Sequence, residues 1–208
     1  MKKIFVTGIG TDVGKTVVSA ILTEALEADY WKPVQAGDLE FSDSIKVENL
    51  ISNTKTKIHQ EGIKLNSPMS PHAAAEIDNV EISLTDFSLP ETNNNLIVEG
   101  AGGLMVPLND KDLIIDLIQH LAIDVVLVSQ NYLGSINHTI LSIDALKNRG
   151  INVLGVIFNG DSNKETEKYI LNYSNLPCLG RIEQQTEVNK ETVLKYKSLF
   201  CTLSGAEG

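Results

Sequence analysis

The sequence contains little cysteine and few aromatic residues. Its 208 residues include two cysteines, one tryptophan, five tyrosines and five phenylalanines. Cys178 and Cys201 lie in different segments, so they form neither a CxxC pair nor the framework of a disulfide-rich domain. This usage is typical of a reducing compartment, and we expect both cysteines to be packing residues.

Long hydrophobic runs and basic stripes are also missing. No segment approaches the roughly 20 apolar residues of a membrane span, and the apolar stretch near the start is too short for a signal peptide. Lysine and arginine number 17 against 27 acidic residues, which gives a formal charge of −10. No run of basic residues could neutralise a phosphate backbone. We therefore predict a cytoplasmic protein with no membrane or nucleic-acid partner, a prediction that leaves room for small anionic ligands.

The residues that are present indicate a globular α/β protein. Apolar residues make up 42% of the chain and charged residues 21%, and a chain of this length buries roughly 70% of its unfolded surface without covalent staples. Short β-branched runs alternate with segments of helical period. The predicted strands are residues 4–7, 30–33, 96–99, 124–129, 152–159 and 177–182. The predicted helices are residues 16–27, 113–121, 136–148, 164–174 and 187–200.

A strand followed by a helix, repeated along the chain, is typical of a parallel sheet. We predict a doubly wound, mostly parallel sheet with helices on both faces, in a single domain that spans residues 1–208. Residues 53–95 are polar and less periodic, so we expect helix and loop laid over one sheet edge. We expect the tail, residues 204–208, to fray.

A glycine loop stands between the first strand and the first helix. The run from Gly8 to Thr16 reads Gly-Ile-Gly-Thr-Asp-Val-Gly-Lys-Thr, in the order that a phosphate site of the P-loop type requires. Its backbone N–H groups and the helix N-terminus attract phosphate, Lys15 reaches the outer phosphates, and Thr16 can bind Mg²⁺. The alternative is a glycine-rich turn with a solvated Lys15.

The spacing of this loop is a variant. Five residues separate Gly8 from Gly14, where the common pattern has four. Partitioning ATPases carry a second lysine at the position of Gly10, and the chain lacks the Asn-Lys-x-Asp run by which GTPases select guanine. Neither of those classes fits the sequence well.

Two acidic residues are placed to bind a metal ion with Thr16. Glu99 ends a predicted buried strand, at the carboxyl edge where open α/β sheets bind ligands. Asp43 stands at a predicted helix start, and its alternative role is a helix cap. Mg²⁺ takes hard oxygen ligands together with nucleotide phosphates and water, so we predict Thr16, Asp43 and Glu99 as its ligands.

Lys32 ends another predicted strand, directly before Pro33. The proline favours extended geometry, which directs the lysine across the same sheet edge. A second cation beside Lys15 would stabilise negative charge on a transferred phosphoryl group and its acceptor. The alternative is a solvated surface lysine.

Taken together, these motifs resemble the dethiobiotin synthetase family over nearly the whole chain. The motifs that carry the resemblance are the phosphate loop, Lys32 to Gly37, Ser42-Asp43, Ser70 to His72, Val98 to Gly103, Leu133 to His138 and Asn159. The resemblance implies a P-loop fold and a homodimeric enzyme of biotin biosynthesis. Such an enzyme uses ATP and Mg²⁺ to convert 7,8-diaminononanoate and CO₂, in equilibrium with bicarbonate, into dethiobiotin, ADP and phosphate.

The resemblance also implies roles for particular residues. Lys32 and Lys15 are the expected catalytic residues. The residues expected to bind ATP are Asp12, Val13, Gly14, Lys15, Thr16, Val17, Asp43, Glu99, Gly100, Ala101, Gly102, Asn159, Gly160, Glu183, Gln184 and Gln185. The residues expected to bind the diamine substrate are Lys32, Ala36, Gly102, Ser135, Asn137 and Tyr169. Those from Ser135 onward are expected to receive the substrate carboxylate from the neighbouring subunit.

Several positions depart from the family pattern. Glu183-Gln184-Gln185 stands where a proline near the base is usual, Tyr132 replaces a basic or proline-rich sequence, and Ala36 replaces a hydroxyl residue. Two other functions compete with the synthetase. One is another ATP-dependent carboxylate-activating enzyme, similar to the synthetase domain of cobyrinic acid diamide synthases. The other is a nucleotide switch that regulates a partner without turnover of a diamine.

Overall fold

A computed structural model describes residues 1–200 and has a six-stranded parallel sheet at its centre. The strand order is β2-β5-β1-β6-β7-β8. The strands are β1 Lys3–Gly8, β2 Asp29–Trp31, β3 Val34–Ala36, β4 Ile63–Leu65, β5 Leu96–Gly103, β6 Asp124–Gln130, β7 Val153–Asn159 and β8 Cys178–Ile182. The helices are α1 Lys15–Leu26, α2 Asp43–Leu50, α3 Pro71–Asp78, α4 Ile114–Leu121, α5 Ser135–Asn148, α6 Lys164–Ser174 and α7 Lys190–Phe200.

Helices cover both faces of this sheet, as predicted. Alternate residues of β1 point to opposite sides: Val6 belongs to an apolar cluster with residues of α1, α2 and α7. Phe5 belongs to a second cluster with residues of α3, α4 and α5. The prediction of a doubly wound parallel sheet is therefore confirmed. None of the helices in residues 1–200 has the length and apolar character needed to cross a membrane.

The region between β2 and β5 differs from the prediction. Residues 53–95 were expected to form helix and loop, but they also contain the strand β4. This strand pairs in parallel with β3 in a separate two-stranded sheet. The strand predicted at 30–33 ends at Trp31, and the chain resumes extended pairing only after Pro33. Three-residue strands carry too few residues to show a period of two, which explains why the sequence does not reveal the small sheet.

Two element ends also differ from the prediction. Strand β5 does not end at Glu99 but continues to Gly103; its pairing with β1 nevertheless shifts register after Glu99, so Glu99 is the last residue of the regular ladder. The last helix begins at Lys190 rather than at residue 187, because the Asn189 side chain accepts a hydrogen bond from the Thr192 N–H and caps it.

The cysteines were predicted to be packing residues. Cys178 is exposed at the start of the edge strand β8, so that prediction is wrong for it. An edge strand has a neighbour on one side only, which leaves its first residue open to solvent. Cys201 and the tail, residues 204–208, lie outside the described residues.

Candidate active site

A cavity of about 790 Å³ opens at the carboxyl edge of the central sheet. Its wall is formed by the loop between β1 and α1, by residues around β3 and the start of α2, and by the end of β5. Most of the residues predicted from the sequence line it: Asp12, Gly14, Lys15, Thr16, Val17, Lys32, Ala36, Asp43, Glu99, Ala101 and Gly102. The Gly100 carbonyl accepts a hydrogen bond from Lys32 of this cavity, whereas Val13 is not among its lining residues and its carbonyl accepts from Asn159.

The glycine loop is held in a conformation that only glycine tolerates at one position. Gly14 has φ +90°, and a Cβ there would lie 2.1 Å from Asn159 Nδ2. The Asn159 amide uses this close approach to donate a hydrogen bond of 3.0 Å to the Val13 carbonyl. The end of β7 therefore holds the loop in place at the start of α1.

Lys15 lies inside this loop rather than in solvent. It is buried, and its Nζ donates to the Gly10 carbonyl at 2.9 Å. Burial lowers the pKa of Lys15 and outweighs the attraction of Glu99. A buried ammonium that is satisfied by one backbone carbonyl has further donors for an anion. The alternative of a solvated Lys15 is wrong.

Lys32 bridges the two predicted metal-binding carboxylates. Its Nζ lies 2.7 Å from Asp43 Oδ2 and 3.1 Å from Glu99 Oε1, and it donates to the Gly100 carbonyl at 3.1 Å. Its exposure is only 3%, so a solvated lysine is also wrong. Burial alone would lower the pKa of Lys32, but the charges of Glu99 and Asp43 outweigh it and raise that pKa. Burial would raise the pKa of Asp43, and the Lys32 charge instead holds it below its ordinary value.

Asp43 is the first residue of α2, not its cap. The cap is Ser42, whose side chain accepts a hydrogen bond from the Ile45 N–H. Asp43 therefore points at Lys32, with its backbone N–H bound to Gln35 Oε1 at 3.2 Å. Gln35 is buried and also donates to the Gly37 carbonyl at 2.9 Å. Gln35 connects the turn after β3 to the start of α2 and was not predicted from the sequence.

Tyr30 is a second residue that the sequence did not single out. It is fully buried on β2, and its hydroxyl donates to Glu99 Oε2 at 2.9 Å. Glu99 Oε1 accepts from the Thr16 hydroxyl at 2.9 Å and from Lys32. Burial, reinforced by the Glu99 charge, raises the pKa of Tyr30 well above its ordinary value. An aromatic residue in a short apolar strand carries no sequence signal beyond packing.

The donor set at this edge fits a magnesium ion. Among residues 1–200 no group of three His, Cys, Asp or Glu side chains could enclose a metal by itself. The Thr16 hydroxyl and the carboxylates of Asp43 and Glu99 are hard oxygen donors linked by short contacts. Mg²⁺ accepts such a partial set, because nucleotide phosphates and water supply its other ligands.

The residues predicted near the base lie beside the glycine loop, at the ends of β7 and β8. The Gly160 N–H donates to the Ile182 carbonyl at 2.8 Å, and Arg181 Nη1 donates to the Gly160 carbonyl at 2.9 Å. Glu183 and Gln184 are exposed, whereas Gln185 Nε2 is held by the Glu183 carbonyl and by the Tyr196 hydroxyl. Asn159, Gly160 and residues 183–185 therefore form one surface that is joined to the glycine loop through Asn159.

The remaining predicted substrate residues lie elsewhere. A separate groove of about 730 Å³ is lined by Asn137, Tyr169 and the loop before α5. Ser135 begins α5 and is buried, and its Oγ has no hydrogen-bond partner among the described residues. The groove shares no lining residue with the cavity over the glycine loop. Within one copy of the chain, Asn137 and Tyr169 therefore line a different depression from Lys32, Ala36 and Gly102.

A parallel sheet whose first strand runs through a glycine loop and Gly-Lys-Thr into a helix defines a P-loop nucleotide-binding protein. A family model described as an AAA domain matches residues 2–192. The ATP-dependent dethiobiotin synthetase of Christiangramia forsetii is 54% identical over 199 residues, which is 96% of each chain. That of Cytophaga hutchinsonii is 51% identical over 94% of this chain and 95% of its own. The chain belongs to the ATP-dependent dethiobiotin synthetase family.

Solved structures support the fold. The cell division ATPase MinD of Pyrococcus furiosus aligns with a TM-score of 0.61 at 12% identity, over 98% of this chain and 100% of its own. At that identity the likeness concerns the fold alone. It agrees with the P-loop class predicted from the glycine loop, while Gly10 stands where partitioning ATPases carry their second lysine.

Proposed function

We propose that this protein is an ATP-dependent cyclo-ligase that closes the cyclic urea ring of dethiobiotin from 7,8-diaminononanoate and CO₂, with release of ADP and phosphate. The observation that carries the proposal is the meeting of two buried lysines and two carboxylates over the glycine loop. Relatives that are 54% and 51% identical and bear the synthetase name support the same reaction.

The reaction has three steps whose atoms balance. An amine of the substrate attacks the carbon of CO₂ and loses a proton, which gives a carbamate. A carbamate oxygen then attacks the γ-phosphorus of ATP, ADP leaves, and a mixed carbamic-phosphoric anhydride forms. The second amine attacks the carbonyl carbon, loses its proton and expels phosphate. The ring therefore keeps one oxygen of CO₂, and phosphate takes the other.

The second step brings two anions together, the carbamate and the γ-phosphate. The positive charges of the two lysines would reduce the repulsion between them. Lys15 lies in the loop that would surround the phosphates, and Lys32 lies across the cavity from it on the sheet edge. Because Lys32 already bridges two carboxylates in a buried place, its charge and position are set before a substrate arrives. Such preorganised donors stabilise developing charge without further rearrangement.

Mg²⁺ is the metal that we assign to this site. Thr16, Asp43 and Glu99 would hold it, and their oxygen donors are the support for this assignment. When bound, the ion would offset charge on the nucleotide phosphates. The two carboxylates otherwise depend on Lys32 for neutralisation, so lysine and metal ion would share them.

We infer that the active protein is a homodimer and that the substrate carboxylate binds in the groove at the start of α5. The N-terminus of this helix carries positive potential, and Asn137 lines the groove. Several apolar side chains near the groove are exposed to solvent. They are Tyr132, Leu133, Leu141 and Tyr169, and Leu133 is the most exposed. An exposed apolar surface of this kind favours contact with a second copy.

Phosphate release tests the proposed reaction. Purified protein is given Mg-ATP with and without 7,8-diaminononanoate and bicarbonate, and the product mass is measured. We expect release to require both carbon substrates and to yield a product of dethiobiotin mass. Release without the diamine, or ATP binding without any release, would contradict the proposal and favour the carboxylate-activating relative or the nucleotide switch.

A further inference from the structure

The hydroxyl of Tyr30 is bound to the carboxylate at the centre of the proposed metal site. Tyr30 lies on β2, where it pairs with Ile97 of β5, two residues before Glu99. Its side chain is fully buried in the apolar cluster under α1 and α2. Its hydroxyl reaches Glu99 Oε2 at 2.9 Å. A buried phenol requires a hydrogen-bond partner, and here that partner is a carboxylate oxygen.

The backbone holds this tyrosine firmly. Its N–H donates to the Lys57 carbonyl at 3.0 Å, and its carbonyl accepts from the His59 N–H at 2.9 Å. On its other side the strand pairs with β5. Because both edges of the strand are bonded and the ring of Tyr30 is buried, its hydroxyl is held against Glu99.

The two oxygens of Glu99 therefore have separate partners. Oε2 is bound by Tyr30, whereas Oε1 faces Thr16 and Lys32 at 2.9 and 3.1 Å. Tilting the carboxylate out of its plane would break the bond to the phenol and leave a buried hydroxyl unsatisfied. The phenol thus fixes the plane of the carboxylate, with one of its two equivalent oxygens at the glycine loop.

We propose that Tyr30 is a positioning residue for divalent-cation binding, because its hydroxyl fixes the Glu99 carboxylate with Oε1 beside Thr16. This inference rests on the proposed metal site. Groups that orient a metal ligand in this way commonly affect metal affinity by about 10- to 100-fold when they are removed. Tyr30 would act through Glu99 and would not touch the substrate.

The test uses Mn²⁺ as a spectroscopic substitute for Mg²⁺. Free Mn²⁺ is measured by electron paramagnetic resonance as it is titrated into full-length protein with a non-hydrolysable ATP analogue. The variant Tyr30→Phe keeps the ring and removes only the hydroxyl, so we expect it to fold and to bind Mn²⁺ roughly tenfold more weakly. Thermal unfolding of each variant is measured alongside.

Thr92→Val is the matched control. The Thr92 hydroxyl donates to Asp29 Oδ2 at 2.6 Å. Asp29 is the first residue of β2, the strand that carries Tyr30, and lies at the end of that strand away from Glu99. Like Tyr30→Phe, Thr92→Val removes a bond from a hydroxyl to a carboxylate. We expect its Mn²⁺ affinity to stay within twofold of that of the unaltered protein. In a Glu99→Gln background, Tyr30→Phe should add no further loss, because both changes act on one carboxylate.

The outcomes separate this inference from the function on which it rests. Weaker Mn²⁺ binding in Tyr30→Phe alone, absent in the Glu99→Gln background, supports the positioning role. Unchanged affinity in Tyr30→Phe, or an equal loss in Thr92→Val, overturns that role while the metal site stands. Failure of the unaltered protein to bind Mn²⁺ with nucleotide overturns the metal assignment itself.

Discussion

Lys32 stands between two carboxylates and is almost wholly buried. A buried ion pair gives little net stability, but removing one partner leaves an uncompensated charge and is costly. The arrangement therefore fits the proposed active site better than a role as a staple of the fold. The formal charges of Lys32, Asp43 and Glu99 sum to −1, and the formal charge of Lys15, which lines the same cavity, offsets this.

Replacing Lys32 should show whether it has this role. We expect Lys32→Ala to lower kcat for diamine-dependent phosphate release by roughly a hundredfold or more, because one preorganised cationic donor is lost. ATP binding is measured separately to show that the glycine loop is intact. Lys3→Ala is the control, since Lys3 is exposed at the amino end of β1, opposite the site. Near-normal turnover in Lys32→Ala would remove Lys32 from the mechanism.

The sequence predicts the charged members of the site but not the residues that hold them. Lys15, Thr16, Lys32, Asp43 and Glu99 each stand at a strand end, a helix start or a glycine loop, which an open α/β sheet brings together at its ligand-binding edge. Tyr30 and Gln35 carry no such signal, because a tyrosine or a glutamine in a short strand is compatible with ordinary packing. Their roles depend on which elements meet in three dimensions.

Helix α1 links the helix that carries Asp43 to the last helix. The buried carboxylate of Glu24 accepts from the backbone N–H groups of Ser52 and Asn53, just after α2, at 2.8 and 2.9 Å. It also accepts from Lys197 Nζ on α7 at 3.2 Å. One carboxylate on α1 thus fastens two neighbouring helices on the same face of the sheet.

Glu24→Gln tests this link and its dependence on pH. Burial would raise the pKa of Glu24, but hydrogen bonds from Ser52 and Asn53 hold it below its ordinary value of 4.5. A lowered folded pKa means that the stabilisation is fully present above pH 4.5 and is lost as pH falls below it. We expect the variant to lose about 1 to 3 kcal/mol at neutral pH, measured by urea unfolding, and to lose less near pH 3.5.

The control for this experiment is Glu91→Gln, an exposed glutamate. It should change the free energy of unfolding by less than about 0.5 kcal/mol at either pH. A Glu24 variant as stable as the control at neutral pH would show that the helices are held by apolar packing alone.

The long elements of the fold were predictable, and the short ones were not. Helix α6 was predicted with its observed ends, and α1 and α5 within one residue, because apolar periodicity over ten or more residues is a strong signal. The small sheet of β3 and β4 was missed because strands of three residues are too short to show a period of two. That sheet carries Gln35 and Ala36 to the cavity.

At the scale of the molecule, residues 1–200 contain two separate concave regions to which we assign the substrate. The cavity over the glycine loop and the groove at α5 have no lining residue in common among the described residues. Under the proposed function, a substrate with two amines at one end of a chain and a carboxylate at the other would have to reach both. A symmetric dimer in which each substrate spans two subunits satisfies that requirement.

Mixing two variants that are each impaired at low diamine concentration tests the shared site. Asn137→Asp places a negative charge where the substrate carboxylate is expected and should raise KM for the diamine at least tenfold, roughly 1.4 kcal/mol. Co-expression with Lys32→Ala gives half mixed dimers, each with one intact site, so about a quarter of full activity should return at low diamine concentration. Either variant expressed alone is the control. No recovery in the mixture would mean that each site is built from a single subunit.

The fate of the oxygen atoms of CO₂ tests the central claim, which is that ATP activates a carboxylated diamine. The protein turns over ATP and 7,8-diaminononanoate with ¹⁸O-labelled bicarbonate, and the masses of phosphate and product are measured within a few turnovers. Our account predicts one labelled oxygen in phosphate and one in the urea of dethiobiotin, since the attacking carbamate oxygen leaves with phosphorus. Unlabelled phosphate would show that water, not a carbamate, receives the phosphoryl group, and would contradict the account.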